Sequence, residues 1–156
     1  MLASRPPPTP IDVDKAAASH QRVFAANALK MEERSGLILR NEGVVPVFML
    51  QPMLALERNR RMTEIERRLF EFNINAYRPN YEPFLKQAVA FVRKSEAEMA
   101  ARVGGTFIDL TGIFKDVEGH IYTDYAHLTP LGNQVAAQRV AETILPLIRE
   151  SMGESR

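Results

Sequence analysis

Two residues of this chain, Asp124 and His127, combine the side-chain types and the spacing that acid–base chemistry needs. A carboxylate three residues before a histidine can accept a hydrogen bond from one imidazole nitrogen and leave the other nitrogen free as a general base. The pair therefore predicts the base half of a nucleophile–base–orienter triad. The alternative is structural: Asp124 caps a turn, and His127 packs under the element that follows.

The residues after this pair predict the helix that anchors it. Thr129 can accept an amide hydrogen at a helix start, and Pro130 loses nothing at the first helical position. Apolar residues then recur at helical spacing, so one face of the helix is expected to lie on a core; they are Val135, Val140, Ile144, Leu147 and Ile148.

Two apolar runs upstream predict parallel strands. Residues 44–50 are apolar without interruption, which is typical of a strand buried on both faces, and residues 106–110 predict a second buried strand. Apolar residues at helical spacing between Leu85 and Val103 predict the helix that connects them. Ligands of such sheets bind beyond the carboxyl ends of the strands.

Two further candidate site residues follow from that arrangement. Gln51 and Asp109 stand at strand ends and are expected at the same sheet edge as the Asp124–His127 pair, although a turn or capping role is the simpler interpretation of Asp109. Gln51, Tyr81 and Tyr125 are the candidate substrate-binding residues. Aromatic loop residues, which include Tyr122, are more commonly involved in packing alone.

The N-terminal part divides into an arm and a helix. Four prolines make residues 1–15 an extended proline-rich arm, and residues 16–150 form the predicted domain, with a short tail at 151–156. An amphipathic pattern predicts one helix from about Ala16 to Asn41, with Gly43 as its left-handed C-terminal cap.

An arginine-rich segment follows the first strand. Five arginines between Arg58 and Arg68 alternate with glutamates, and the mixed signs favour a solvated helix over a nucleic-acid interface. The helix is expected to begin with a Thr63–Glu66 capping box and to pack through Ile65, Leu69 and Phe72.

Composition limits the class of protein. The chain has 156 residues, of which 46% are hydrophobic and 25% charged, so we expect one soluble globular domain or part of one. A net charge of +1 indicates no particular partner, and the absence of cysteine excludes disulfides. No apolar run approaches the length of a membrane span. We expect no cofactor and no metal, because His120, Asp124 and His127 fit no well-attested metal-site spacing.

Three segments are considered together: the strand that ends at Gln51-Pro52, the strand Phe107-Ile108-Asp109-Leu110, and the element Asp124-x-x-His127-Leu128-Thr129-Pro130-x-Gly132-Asn133. This combination resembles the C-terminal half of SGNH (GDSL-type) hydrolases. The resemblance implies an α/β fold, a flavodoxin-like three-layer α/β/α sandwich with parallel strands. It also implies hydrolysis or transfer of acyl groups on small-molecule, lipid or carbohydrate esters. His127 would then be the general base and Asp124 its orienting partner. A secreted or periplasmic full-length protein is compatible with this family.

The chain departs from that family at its nucleophile. The Gly-Asp-Ser motif and the Gly-x-Asn-Asp element of the oxyanion hole are absent, so the N-terminal strands of the family fold are expected to be missing. We therefore expect the latter part of a longer hydrolase, with Met1 just after the missing blocks and no activity on its own. The alternative is a non-catalytic interaction or structural module whose sheet is completed by another chain.

Overall fold

The computed structural model of the chain describes residues 9–57, 60–72 and 80–153. In chain order these residues form α1 (Val13–Ala26), α2 (Ala28–Asn41), β1 (Val47–Leu50), a 3₁₀ helix (Leu54–Leu56), α3 (Glu64–Phe70), α4 (Tyr81–Arg102), β2 (Thr106–Asp109) and α5 (Pro130–Ser151). Most of the predicted proline arm and the end of the predicted tail lie outside the described residues.

The first helical segment consists of two helices rather than one. The side chain of Asp12 caps α1 by accepting a hydrogen bond from the amide of Lys15, so the helix begins inside the predicted arm. Asn27 has backbone angles of φ −118° and ψ −75°, which separate α1 from α2. The prediction of a single helix is therefore wrong at this one position. Gly43 has φ +77°, the left-handed conformation predicted for the residue after α2.

The two strands pair in parallel, as predicted, with α4 as the connecting helix. Val47 is in register with Thr106, and Leu50 with Asp109. β1 begins only after Pro46, whose carbonyl accepts a hydrogen bond from the Thr106 amide at 2.9 Å. Proline has no amide hydrogen to donate, which explains why the strand is shorter than the apolar run. α4 contacts both strands and also packs against α1 and α2.

The three-layer α/β/α sandwich predicted from the family resemblance is wrong for this structure. The described residues are mostly helical and contain two strands of four residues each, joined in one small sheet. Such a sheet offers too little surface to carry a layer of helices on each face. Instead, α1 and α2 pack on each other and on α4.

The prediction that the first strand is buried on both faces is also wrong. Met49 within β1 is 50% exposed, and Val44 before it is 48% exposed. A cluster of buried apolar residues lies beyond the strands, around the 3₁₀ helix and the loop before α5. Its buried members are Leu54, Ala55, Phe70, Leu85, Val89, Phe114, Ile121 and Tyr122. This cluster includes Tyr122, and Leu128 packs against it, so it lies next to the Asp124–His127 loop.

α5 begins at Pro130, as predicted, but only its first turns are packed. The hydroxyl of Thr129 accepts a hydrogen bond from the Gly132 amide at 3.3 Å, the predicted cap. Val135 and the adjacent Ala136 pack against the core cluster. Farther along, Ile148 is 45% exposed, so the predicted burial along the whole apolar face is wrong.

Candidate catalytic dyad and its buried anchor

Asp124 and His127 form the predicted hydrogen-bonded pair. The distance from Asp124 Oδ2 to His127 Nδ1 is 2.6 Å. The other carboxylate oxygen, Oδ1, accepts hydrogen bonds from the amides of Ala126 and His127, both at 2.8 Å. These two amide bonds, together with the imidazole, lower the pKa of Asp124 to about 2. Asp124 is therefore a carboxylate at neutral pH and fixes the orientation of the ring.

The imidazole of His127 is largely exposed to solvent. The side chain of His127 is 78% exposed, and none of the described residues forms a hydrogen bond with Nε2. When Nδ1 carries the proton that Asp124 accepts, Nε2 is a free base. This geometry allows proton transfer with a group that approaches from solvent.

The loop that carries the dyad is closed like a short hairpin. Tyr122 and Leu128 form an antiparallel bridge, and the amide of Thr123 donates to the carbonyl of His127 at 2.9 Å. One step farther in, the Thr129 amide donates to the Ile121 carbonyl at 2.7 Å. We call residues 122–128 the dyad loop. Its ends are fixed by backbone hydrogen bonds, so the spacing of Asp124 and His127 does not depend on side-chain packing alone.

A buried carboxylate, Glu66, holds the base of the dyad loop. Its side chain is fully buried, and Oε1 accepts hydrogen bonds from the amides of Ile121 at 2.8 Å and Tyr122 at 3.1 Å. Oε1 also lies 2.5 Å from Arg60 Nη2, while Oε2 accepts from the Thr63 amide at 2.8 Å. Burial by itself raises the pKa of Glu66, but these donors outweigh burial and lower the pKa to about 2.

Arg60 and Tyr122 extend this buried network. Arg60 is 5% exposed and donates through Nη1 to the carbonyl of Gly119 at 3.3 Å. The hydroxyl of Tyr122 donates to Glu57 Oε1 at 3.1 Å. Burial raises the pKa of both Tyr122 and Glu57, so the phenol stays protonated and can serve as the donor. The network thus connects the arginine-rich segment to the residues just before the dyad.

The structure brings some predicted site residues to the dyad and places others elsewhere. Gln51 Nε2 donates to the carbonyl of Ala126 at 3.1 Å, so the end of β1 contacts the dyad loop. Tyr125 is 49% exposed within this loop. Tyr81 lies at the start of α4, against Phe84 at a ring-centroid distance of 5.8 Å.

Asp109 has the turn role that was the simpler interpretation of its position at a strand end. Its Oδ1 accepts hydrogen bonds from the amide and the hydroxyl of Thr111, at 2.9 and 2.7 Å, and its Oδ2 pairs with Arg93. Its carboxylate therefore forms a turn at the end of β2.

The sequence did not indicate the role of Glu66 and Arg60. The capping box at Thr63 and Glu66 is present as predicted, but the packing inferred around it is partly wrong. Ile65 is 60% exposed, whereas the neighbouring Glu66 is fully buried. The capping-box pattern predicts the hydrogen bonds between Glu66 and Thr63, which are only three residues apart. The contacts that bury Glu66 come from residues 119–122, which are distant in sequence.

Comparisons of the chain with protein-family models, with curated proteins and with solved structures returned no match. Across the described part of the chain, none of the helices combines the length and the apolar character required to cross a bilayer.

Proposed function

We propose that His127 is the general base of an ester hydrolase of the SGNH type and that Asp124 orients it. The observation that carries this proposal is the 2.6 Å hydrogen bond between Asp124 and Nδ1 of an exposed imidazole whose Nε2 is free. The similarity of residues 124–133 to the SGNH element supports the same assignment. The proposal rests on the dyad and on this element.

In the proposed reaction, a serine hydroxyl attacks the acyl carbonyl of a small-molecule, lipid or carbohydrate ester. His127 Nε2 takes the hydroxyl proton and then gives it to the leaving alcohol, and water repeats the sequence to release the acid. Asp124 stays ionised throughout and stabilises the imidazolium.

The serine would come from outside the dyad loop. The described serines are Ser19, Ser35, Ser95 and Ser151, and none of them is hydrogen-bonded to His127. We therefore propose that another polypeptide segment, either a further part of the protein or a partner chain, supplies the nucleophile and the oxyanion donors.

Hydrolysis of p-nitrophenyl acetate tests the base assignment directly. We expect no serine-dependent hydrolysis from the chain on its own, but an exposed imidazole slowly attacks this activated ester as a nucleophile even without a serine. We expect the rate above background to fall by about tenfold or more in His127→Gln, and to fall also in Asp124→Asn, which cannot stabilise the imidazolium. His20→Gln is the matched control, because His20 of α1 is packed between the rings of Phe24 and Phe84.

A wild-type rate in folded His127→Gln would contradict the proposal. A fluorophosphonate probe, which reacts with activated serines, tests the origin of the nucleophile. We expect no labelling of the purified chain, and a labelled serine among the described residues would show that the nucleophile is internal.

One observation favours a second candidate, a non-catalytic module. The dyad is largely exposed, whereas hydrolytic sites usually exclude water from the base. This candidate predicts that wild type and Asp124→Asn hydrolyse the ester at the same rate, because an exposed imidazole attacks it without an orienting partner.

A further inference from the structure

A cleft of about 820 Å³ lies between α5 and the segment that follows β2. One wall consists of α5 residues that share a face of the helix, namely Val135, Gln138, Arg139 and Glu142. The opposite wall comes from residues 109–117, and Arg93 of α4 also lines the space. No residue of the dyad loop lines this cleft, which is therefore separate from the candidate catalytic site.

Arg93 is held in a fixed orientation at the cleft. Its Nε pairs with Asp109, and its Nη2 donates to the Thr111 hydroxyl at 2.7 Å. Asp109 is in turn fixed by two hydrogen bonds from Thr111. No described residue accepts a hydrogen bond from Arg93 Nη1. A guanidinium immobilised on one side can bind an anion on the other with little loss of side-chain entropy.

Arg139 supplies a second cation that is weakly engaged. Its Nη1 lies 3.4 Å from Glu142, and both side chains are more than half exposed. Gln138 reaches the same carboxylate only at 3.5 Å. An exposed pair at such distances contributes little to stability, so Arg139 is free to turn toward a better-placed carboxylate. Arginine binds carboxylates in a bidentate manner.

The cleft is also lined by Asp109 and Glu142, which pair with the two arginines, and by an apolar patch. Ile113, Val117 and Val135 line it and are each partly buried. A few oriented polar groups beside an apolar wall are typical of sites for small organic ligands. We propose that this cleft binds a small organic monocarboxylate, with its carboxylate between Arg93 and Arg139 and its short apolar chain against Ile113, Val117 and Val135.

Titration of the ¹⁵N-labelled chain with acetate and with hexanoate, followed by amide chemical shifts, tests this site. We expect saturable shifts at Gly112, Val135 and Gln138. Hexanoate should bind more tightly than acetate, by up to about fourfold for each methylene that reaches the apolar wall. Inorganic phosphate should bind more weakly than hexanoate.

The variant Arg139→Gln separates the site from general charge attraction. We expect it to weaken hexanoate binding by about fivefold or more, since it removes one of the two cations. Arg149→Gln is the control, because it makes the same change on the same helix outside the cleft and should leave binding unchanged. Arg139 is exposed and makes only one weak pair, so its substitution should not affect folding.

Absence of saturable shifts with hexanoate would overturn the proposal, and so would equal binding by wild type and Arg139→Gln. Equal affinity for acetate and hexanoate, or tighter binding of phosphate, would overturn the assignment of an apolar carboxylate. The assay involves no hydrolysis, so failure of the dyad to act as a base would leave these results unaffected.

Discussion

At the scale of single residues, Asp124 accepts more hydrogen bonds from backbone amides than from the His127 ring. Its Oδ1 satisfies two amides of the dyad loop before its Oδ2 meets the imidazole. A carboxylate that accepts several amide hydrogen bonds is stabilised in its charged form. Asp124 therefore shapes the loop and orients His127 with the same side chain.

Because the backbone amides and the imidazole all stabilise the charged form of Asp124, we expect its carboxyl group to have a low pKa. Carboxyl ¹³C shifts should place the pKa of Asp124 at about 2. In His127→Ala the pKa should rise only part of the way to its ordinary value, because the two amide donors are the larger causes. The pKa of Asp124 is depressed on folding, so its contribution to stability is full above about pH 4 and is lost as the pH falls through about 2. An ordinary pKa in the wild type would contradict this account.

At the scale of elements, the dyad loop and the start of α5 form one unit. Thr129 caps α5 and also donates through its hydroxyl to the carbonyl of His120 at 2.6 Å. Gly132 in the first turn of α5 lies so near the loop that a Cβ there would be 2.7 Å from the Ile121 carbonyl oxygen. The Leu-Thr-Pro-x-Gly pattern thus requires glycine at position 132, because the backbone of Ile121 lies too close to α5 for a side chain there.

Gly132→Ala should therefore destabilise the protein, although alanine is the better helix former. Helix propensity favours alanine by about 1 kcal/mol, whereas overpacking against a backbone atom costs about 1–3 kcal/mol. We expect a net loss of about 1 kcal/mol in urea unfolding, with the larger cost prevailing.

Gly112→Ala is the control for this experiment, because a Cβ at Gly112 meets no atom within 4 Å and its φ is not positive. Equal or higher stability of Gly132→Ala would show that the loop can move away from α5.

At the scale of the whole molecule, one buried carboxylate, Glu96, lies where α2 and the sheet meet α4. Glu96 on α4 is 8% exposed, and one of its oxygens has no hydrogen-bond partner among the described residues. Burial, Glu32 of α2 and Asp109 of β2 together raise the pKa of Glu96 to about 7. Arg93 pairs with Asp109 and Arg102 with Glu33, and neither of these arginines forms an ion pair with Glu96.

The raised pKa predicts that stability declines as the pH increases. The folded state holds the Glu96 proton up to about pH 7, whereas the unfolded chain loses it near 4.5, so stability should fall between these values. Glu96→Gln mimics the protonated form and should match wild type at pH 4.5. At pH 8 it should be more stable by about 2 kcal/mol.

Urea unfolding across this pH range measures the effect. Glu98→Gln, on an exposed part of the same helix, is the control and should keep the wild-type slope. An unchanged slope in Glu96→Gln would show that Glu96 is solvated.

Local features of the fold and of the site were predictable from the sequence. The start of α5 at Pro130, the cap at Gly43 and the Asp124–His127 hydrogen bond depend on interactions over a few residues. The parallel pairing of the two short strands was predictable from the order strand, helix, strand. The catalytic role of the dyad remains a prediction.

Only the tertiary structure determined burial and architecture. Periodicity indicates which residues can be buried but not what covers them, so Met49 and Ile65 are exposed where burial was expected. Glu66 and Arg60 are buried in what resembles a solvated charged segment, because their partners lie more than fifty residues away in sequence. Burial is a property of long-range contacts, and these replaced the expected layered sandwich by helices packed around α4.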